Sequence, residues 1–239
     1  MMQLLVSVAN SIEARHAVDG GADLIDAKDP LIGALGAVSL DTLRQIHAAV
    51  QGRRVVTAAL GDANDEETIE RAAFAYGRSG IGFVKVGFAG TTDISRVERL
   101  TLSAVRGVRA TGLEHCGVVA VAYADTGGTT SVNPTALVDV AARAGARGVL
   151  LDTAQKDGPG LLRLVSPAAL ERWVAVAHRA GLIVALAGKL TADDLPVICE
   201  TRADIVGVRG AACEAGRSSR VTAERVRALR LQLPLLTGR

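Results

Sequence analysis

Lysine is scarce in this chain, and its scarcity marks where chemistry is to be sought. Of 27 basic residues only four are lysine, Lys28, Lys85, Lys156 and Lys189, and the other 23 are arginine. Either residue supplies a solvated positive charge. Only lysine supplies a neutral amine that attacks a carbonyl or accepts a proton, because a guanidinium does not deprotonate in proteins. Carboxylates stand beside two of the four: "LIDAKDP" sets Asp26 two residues before Lys28, and "LLDTAQKDG" sets Asp152 four residues before Lys156. Amines and carboxylates gathered in one site have the parts for Schiff-base chemistry. Neighbouring cations and desolvation free an amine, and the remaining acids and bases move protons during dehydration and tautomerisation. The alternative is that each pair is an ordinary solvated ion pair.

The elements that must position these side chains can be read from patterning. Apolar runs rich in Val, Ile and Leu recur near 3–8, 23–27, 54–60, 82–86, 117–123, 148–152, 182–187 and 204–208. They are continuous rather than alternating, as expected for strands covered on both faces. Helical stretches follow each run, opened by Ser11, Ser39, Asp65, Asp93, Asn133-Pro134, Ser166-Pro167 and Thr191 as expected N-caps, and the last is expected near 221–231. Small residues at a helix exit recur before aliphatic strands in "GGADLID", "SGIGFVKV", "RAGARGVLLD" and "TRADIVGV". Eight βα units in 239 residues, with no linker or low-complexity segment, predict an α/β fold, a single-domain (β/α)8 TIM barrel over 1–239. No G-x-G-x-x-G follows the first strand.

In such a barrel the working face lies at the C-terminal ends of the strands, and all four lysines fall there. Strand parity aims Asp26 and Lys28 at the barrel axis. Gly188 and Lys189 in "LAGKL", with Arg209, Gly210 and Ala211 in "VGVRGAAC", occupy the seventh and eighth loops, which commonly bind phosphate in this fold; a tight strand-to-helix turn is the other explanation of the glycines. The loop "DPLIGALGAVS" is long enough for a lid or a subunit contact. "GDANDEE" reads as the charged first turn of a helix rather than a metal site, with Asp62 near the mouth, and "ADTGGTTSVNP" is a polar loop on the same face.

Composition narrows the partners. A formal charge of +2 and 3% aromatic residues give no nucleic-acid footprint, and no signal peptide or membrane-length apolar run is evident, so no nucleic acid, no membrane and a cytoplasmic location are expected. Cys116, Cys199 and Cys213 are spaced for reduced, packed thiols, and His16, His47, His115 and His178 lack metal-ligand spacing.

Five segments, "DAKDPLIGALG" (26–36), "LGD" (60–62), "KVG" (85–87), "DTAQKDG" (152–158) and "GVRGAAC" (207–213), together resemble the (5-formylfuran-3-yl)methyl phosphate synthases, also called 4-(hydroxymethyl)-2-furancarboxaldehyde phosphate synthases. The resemblance runs from the first strand to the eighth. It implies a lyase that condenses two molecules of glyceraldehyde 3-phosphate into a phosphorylated furan aldehyde, the furan precursor of methanofuran or methylofuran, with loss of phosphate and water. By motif position Lys28 is similar to the Schiff-base lysine and Lys85 to the proton acceptor, with Asp26, Asp152 and Lys156 as supporting acid/base or orienting groups. No metal or organic cofactor is implied. The expected partner is a small-molecule triose phosphate, and a homo-oligomer is expected. Without the resemblance, an aldolase-like barrel and a non-catalytic phosphometabolite-binding barrel remain as readings of the same residues.

Overall fold

A computed structural model describes residues 2–113 and 115–233. Eight parallel strands close into a barrel in sequence order: β1 (Gln3–Val8), β2 (Leu24–Ala27), β3 (Val55–Asp62), β4 (Phe83–Gly87), β5 (Gly117–Tyr123), β6 (Gly148–Asp152), β7 (Ile183–Leu186) and β8 (Ile205–Val208), with β8 pairing back onto β1. Around them run α1 (Ser11–Asp19), α2 (Leu40–Val50), α3 (Glu66–Gly77), α4 (Ile94–Arg109), α5 (Pro134–Arg143), α6 (Leu161–Leu164), α7 (Pro167–Arg179), α8 (Leu195–Glu200) and α9 (Ala223–Leu231). This is the expected (β/α)8 order, with α6 an added turn ahead of the helix that returns to β7. Among the described residues no helix is long and apolar enough to cross a membrane.

The strands read as unbroken apolar runs because they are sealed on both sides. Leu4, Val6, Ile25, Val84, Val86, Val149, Val184 and Val206 face outward into the main core beneath the helices. Leu5, Leu24 and Ile205, with Phe83, Ile183 and Ala185 against them, plug the barrel interior. Two residues further along several strands the inward side chain changes character. Leu5 gives way to Ser7, Leu24 to Asp26, Phe83 to Lys85 and Leu150 to Asp152, so a polar layer rests on an apolar floor.

The caps hold the helix starts in place. Asp65, Asp93, Asn133, Ser39 and Ser166 each accept backbone N–H groups of the first turn. Thr191 opens a 3-10 turn that leads into α8. Ser11 is a correction: Asn10 is the cap, its Oδ1 accepting from Ile12 and Glu13 N–H at 3.0 Å each, and Ser11 is the first helical residue. The amide side chain one residue upstream reaches both orphan donors. The internal echo has a physical basis as well. Asp23 and Asp204, each just before a strand, accept a backbone N–H from the neighbouring strand, Leu4 and Val184 respectively, at 2.8 Å.

The arginines mostly serve the solvated helix faces, as in the exposed pairs Arg71–Glu67, Arg99–Glu66 and Arg106–Glu70. Each such pair stabilises the fold by about 1 kcal/mol or less. Cys116 and Cys213 are buried free thiols and Cys199 is half-buried, consistent with packing roles.

Candidate active site

A cavity of about 520 Å³ opens at the C-terminal ends of the strands. Its floor is the apolar plug of Leu5, Leu24, Phe83 and Ile205, and its walls carry Lys28, Lys85, Asp152 and Lys156. Gly188, Lys189, Arg209, Gly210 and Ala211 line it from the side of the seventh and eighth loops. All the lysines selected by scarcity therefore meet at one opening, although they come from four separate loops or strands.

Asp26 is inward as parity predicted, but it sits beneath the cavity and is fully buried. One oxygen accepts from Thr57 Oγ1 at 2.8 Å and the other from Ser7 Oγ at 2.8 Å, and Lys85 Nζ lies 2.6 Å away. Burial alone would raise its carboxyl pKa. The charges of Lys85 and Lys28 and the hydrogen bonds from Lys85 and Ser7 outweigh burial and hold it below the usual carboxylate range. Asp26 thus stays ionised as a fixed anchor for Lys85. The hydroxyls of Ser7 and Thr57 were missed by sequence reasoning, although strand register sets both directly beside Asp26.

The second pair is built locally. Lys156 reaches back four residues to Asp152, with Nζ 2.9 Å from Oδ1, and also donates to the Thr153 carbonyl. Asp152 accepts from its neighbour's backbone, Thr153 N–H, at 2.7 Å. Its pKa is lowered on the same balance as that of Asp26: burial raises it, and Lys156, Lys28 and the hydrogen bonds together prevail. The loop carrying Lys156 is itself pinned by Asp125, whose oxygens accept from Ala154 and Gln155 N–H at 2.8 and 2.7 Å.

Lys28 differs from the other lysines. Among the described residues no hydrogen bond or ion pair ends on its Nζ, while the residue is 8% exposed and faces the cavity. Its pKa is lowered to about 8 by burial first and then by Lys85 and Lys156, against the opposing charges of Asp152 and Asp26. Two carboxylates are already matched by two paired ammonium groups. A third protonated amine in the same enclosure has no counter-ion of its own among the described residues, so the neutral form is more populated than in an exposed lysine.

The expected phosphate-binding residues divide. Gly188 and Lys189 both adopt positive φ, 115° and 56°, which makes the sharp exit from β7, and a Cβ on Gly188 would press against Thr153 and Leu161. Lys189 is exposed at the rim and donates to the Gly158 carbonyl. Gly210 and Ala211 form a 3-10 turn at the end of β8. Arg209 lines the cavity from the eighth loop as expected in position, but its donors are engaged within the protein. Its five N–H groups are spent on Glu13 and on the carbonyls of Ser7, Arg217 and Ser219, in a buried cluster that ties the eighth loop to α1. These bonds hold the loop that borders the cavity. Arg217 and Ser218, which sequence reasoning passed over among many similar residues, line the cavity as well.

Loop 29–38 folds onto the mouth. Leu35 is buried against Ala59, Val121 and Tyr123, Pro30 lines the cavity, and Asp29 N–H donates to Gly36 O at 2.8 Å. Asp62 accepts from Tyr123 Oη at 2.7 Å and from Ala89 N–H at 3.0 Å, so it braces the strand ends beneath this loop.

Fold and site together define a (β/α)8 barrel enzyme with one buried and one partly buried lysine–carboxylate pair and, among the described residues, one unpaired amine in its mouth. The 4-HFC-P synthase family matches residues 4–230, and the chain belongs to that family. It is 40% identical to the (5-formylfuran-3-yl)methyl phosphate synthase of Methanopyrus kandleri over 91% of this chain and 92% of that one. It is 38% identical to the enzyme of the same name from Methanocaldococcus jannaschii over 96% and 98%. Among solved structures, KGPDC from Streptococcus mutans superposes with a TM-score of 0.66 over 97% of each chain at 12% identity, a likeness of fold.

Proposed function

We propose that the chain condenses two glyceraldehyde 3-phosphate molecules into (5-formylfuran-3-yl)methyl phosphate, releasing one phosphate and two waters, as a lyase working through an imine on Lys28. The observation that carries this reading is the contrast among the lysines: Lys85, Lys156 and Lys189 are held by acceptors, and Lys28 is a desolvated amine with none among the described residues. The shared family name supports the product.

The chemistry follows from the placement. Neutral Lys28 Nζ attacks the aldehyde carbon and water leaves, giving an imine that draws electrons from the adjacent carbon. Removal of a proton from that carbon yields an enamine, from which a β-phosphate departs or which attacks the second aldehyde. Lys85, steadied by Asp26, is the candidate proton acceptor, taking up the proton as the amine once its own ammonium proton has passed to solvent. Lys156, steadied by Asp152, stands where it can return protons to departing oxygens. Ring closure and dehydration complete the furan, and hydrolysis of the imine restores Lys28. The rim of Gly188, Lys189, Gly210 and Ala211, with its turn backbone and one ammonium, is suited to a phosphoryl group. Such a product would serve as a furan precursor of a methanofuran-type cofactor.

The test is incubation with glyceraldehyde 3-phosphate, followed both by borohydride reduction with peptide mapping and by direct product analysis. An adduct at Lys28, phosphate release and a growing furan-aldehyde absorbance are expected. Carbon–carbon bond formation without phosphate release would assign aldolase chemistry instead. Lys28→Arg keeps the charge and removes the nucleophile, so turnover near that of the wild type would refute the imine.

A further inference from the structure

Two substrate phosphates must be held in a cavity with Asp152 on its wall and Asp26 beneath it, and most of its cations are committed elsewhere. Lys85 and Lys156 answer Asp26 and Asp152, Lys189 is engaged by Gly158, and Arg209 has no N–H left. Arg217 stands apart. It is half-buried on the cavity wall, forms no ion pair among the described residues, and makes a single side-chain hydrogen bond there, from Nη2 to Gly33 O at 3.0 Å. The rest of its planar fork of donors is unspent. Burial works against its charge, and the carboxylate that most supports that charge is Asp152, which belongs to the reaction centre.

We infer that Arg217 is the residue that grips the phosphoryl group of a triose phosphate at the cavity mouth. The inference rests on the phosphorylated-triose reading given above and names the side chain responsible for it. A guanidinium presents parallel N–H groups that match two oxygens of a phosphate dianion, and in a partly desolvated wall such charge-assisted bonds are strong. Arg217 also spans two loops: its own backbone follows β8 and packs over Gly210, while Gly33 lies on the loop that Lys28 begins. A phosphate held there lies between the loop expected to bind phosphate and the loop that carries the amine. The aldehyde of the same molecule is thereby kept within the cavity that Lys28 faces.

The experiment is calorimetric titration with glycerol 3-phosphate, which carries the phosphate on a three-carbon chain and has no carbonyl to react. Arg217→Gln keeps an N–H for the Gly33 carbonyl and removes the charge; Arg217→Lys keeps the charge and removes the fork. Binding weaker by about tenfold or more in Arg217→Gln, with Arg217→Lys between it and the wild type, is the expected result. Wild-type-like binding in Arg217→Gln would show that Arg217 only tethers the loop and overturns the inference. So does the absence of measurable binding to the wild-type protein. Arg217-dependent binding in a protein that makes no furan would leave the assignment standing and remove the proposed reaction. Furan formation with Arg217→Gln binding normally would do the reverse.

Discussion

The reactivity of Lys28 is a titration, and the structure sets its position and its sign. An exposed lysine titrates at 10.5, and Lys28 is lowered to about 8. At pH 7 the neutral fraction is then about 10%, against about 0.03% for an exposed lysine, a gain of roughly 300-fold in free amine. Asp152 is the charge that most opposes this lowering. Asp152→Asn therefore moves the titration further down, and it also leaves Lys156 without its carboxylate, which acts in the same direction. The assay is the initial rate of reductive trapping at Lys28 from pH 6 to pH 10, read by mass spectrometry. Glyceraldehyde is the probe because it has no phosphate to titrate in the same range. The wild-type rate should rise with a midpoint near 8, and the Asp152→Asn midpoint should fall below it. A wild-type midpoint near that of an exposed lysine, or an upward shift in Asp152→Asn, would refute the argument that burial and charge imbalance free the amine.

The same shift predicts stability. The unfolded lysine keeps its proton to 10.5 and the folded one only to about 8, so wild-type stability rises with pH between those values. Lys28→Met should stabilise the protein at pH 7 by up to about 3 kcal/mol, and urea titrations should show the gain shrinking towards pH 10. Glu13→Ala strands the buried Arg209 guanidinium and removes the acceptor for Ala9 N–H, so a loss of about 3–5 kcal/mol in urea unfolding is expected. A loss below about 1 kcal/mol would place that pair in solvent rather than in the core. Gly87→Ala puts a Cβ onto the Asp62 carboxylate and the Tyr123 hydroxyl and within 2.8 Å of Leu35, which should cost about 1–3 kcal/mol and lower the Tm. An unchanged Tm would mean that the strand ends yield more easily than close packing allows.

The barrel could be read before folding because its rule is local and repeated. A strand sealed on both faces has no polar side to show, so each announces itself as an unbroken apolar run, and a helix start announces itself through a cap within one or two residues. The misplacement of the first cap from Asn10 to Ser11 shows the limit of that rule: both side chains suit the position, and only backbone geometry selects one. The lysines were legible for another reason. In a chain that otherwise uses arginine, each lysine stands out without any alignment, and strand parity was enough to turn Asp26 and Lys28 inward.

What the sequence determined by itself was thus the order of elements and the face on which the lysines would gather. Tertiary structure decided which amine is free. Lys85 is paired with Asp26 from another strand, and Arg209 with Glu13 at a separation of 196 residues, and neither pairing leaves a trace in local composition. The Asp152–Lys156 pair, four residues apart, was the one that spacing alone could suggest. Ser7 and Thr57 are single hydroxyls in apolar strands, and Arg217 is one arginine among 23; their importance comes from the register and loop packing that set them beside a carboxylate or a cavity. Propensity and periodicity act over a few residues, whereas desolvation and charge balance are sums over everything within several ångströms in space. A lysine becomes a nucleophile through the second kind of sum, which exists only once the barrel has closed.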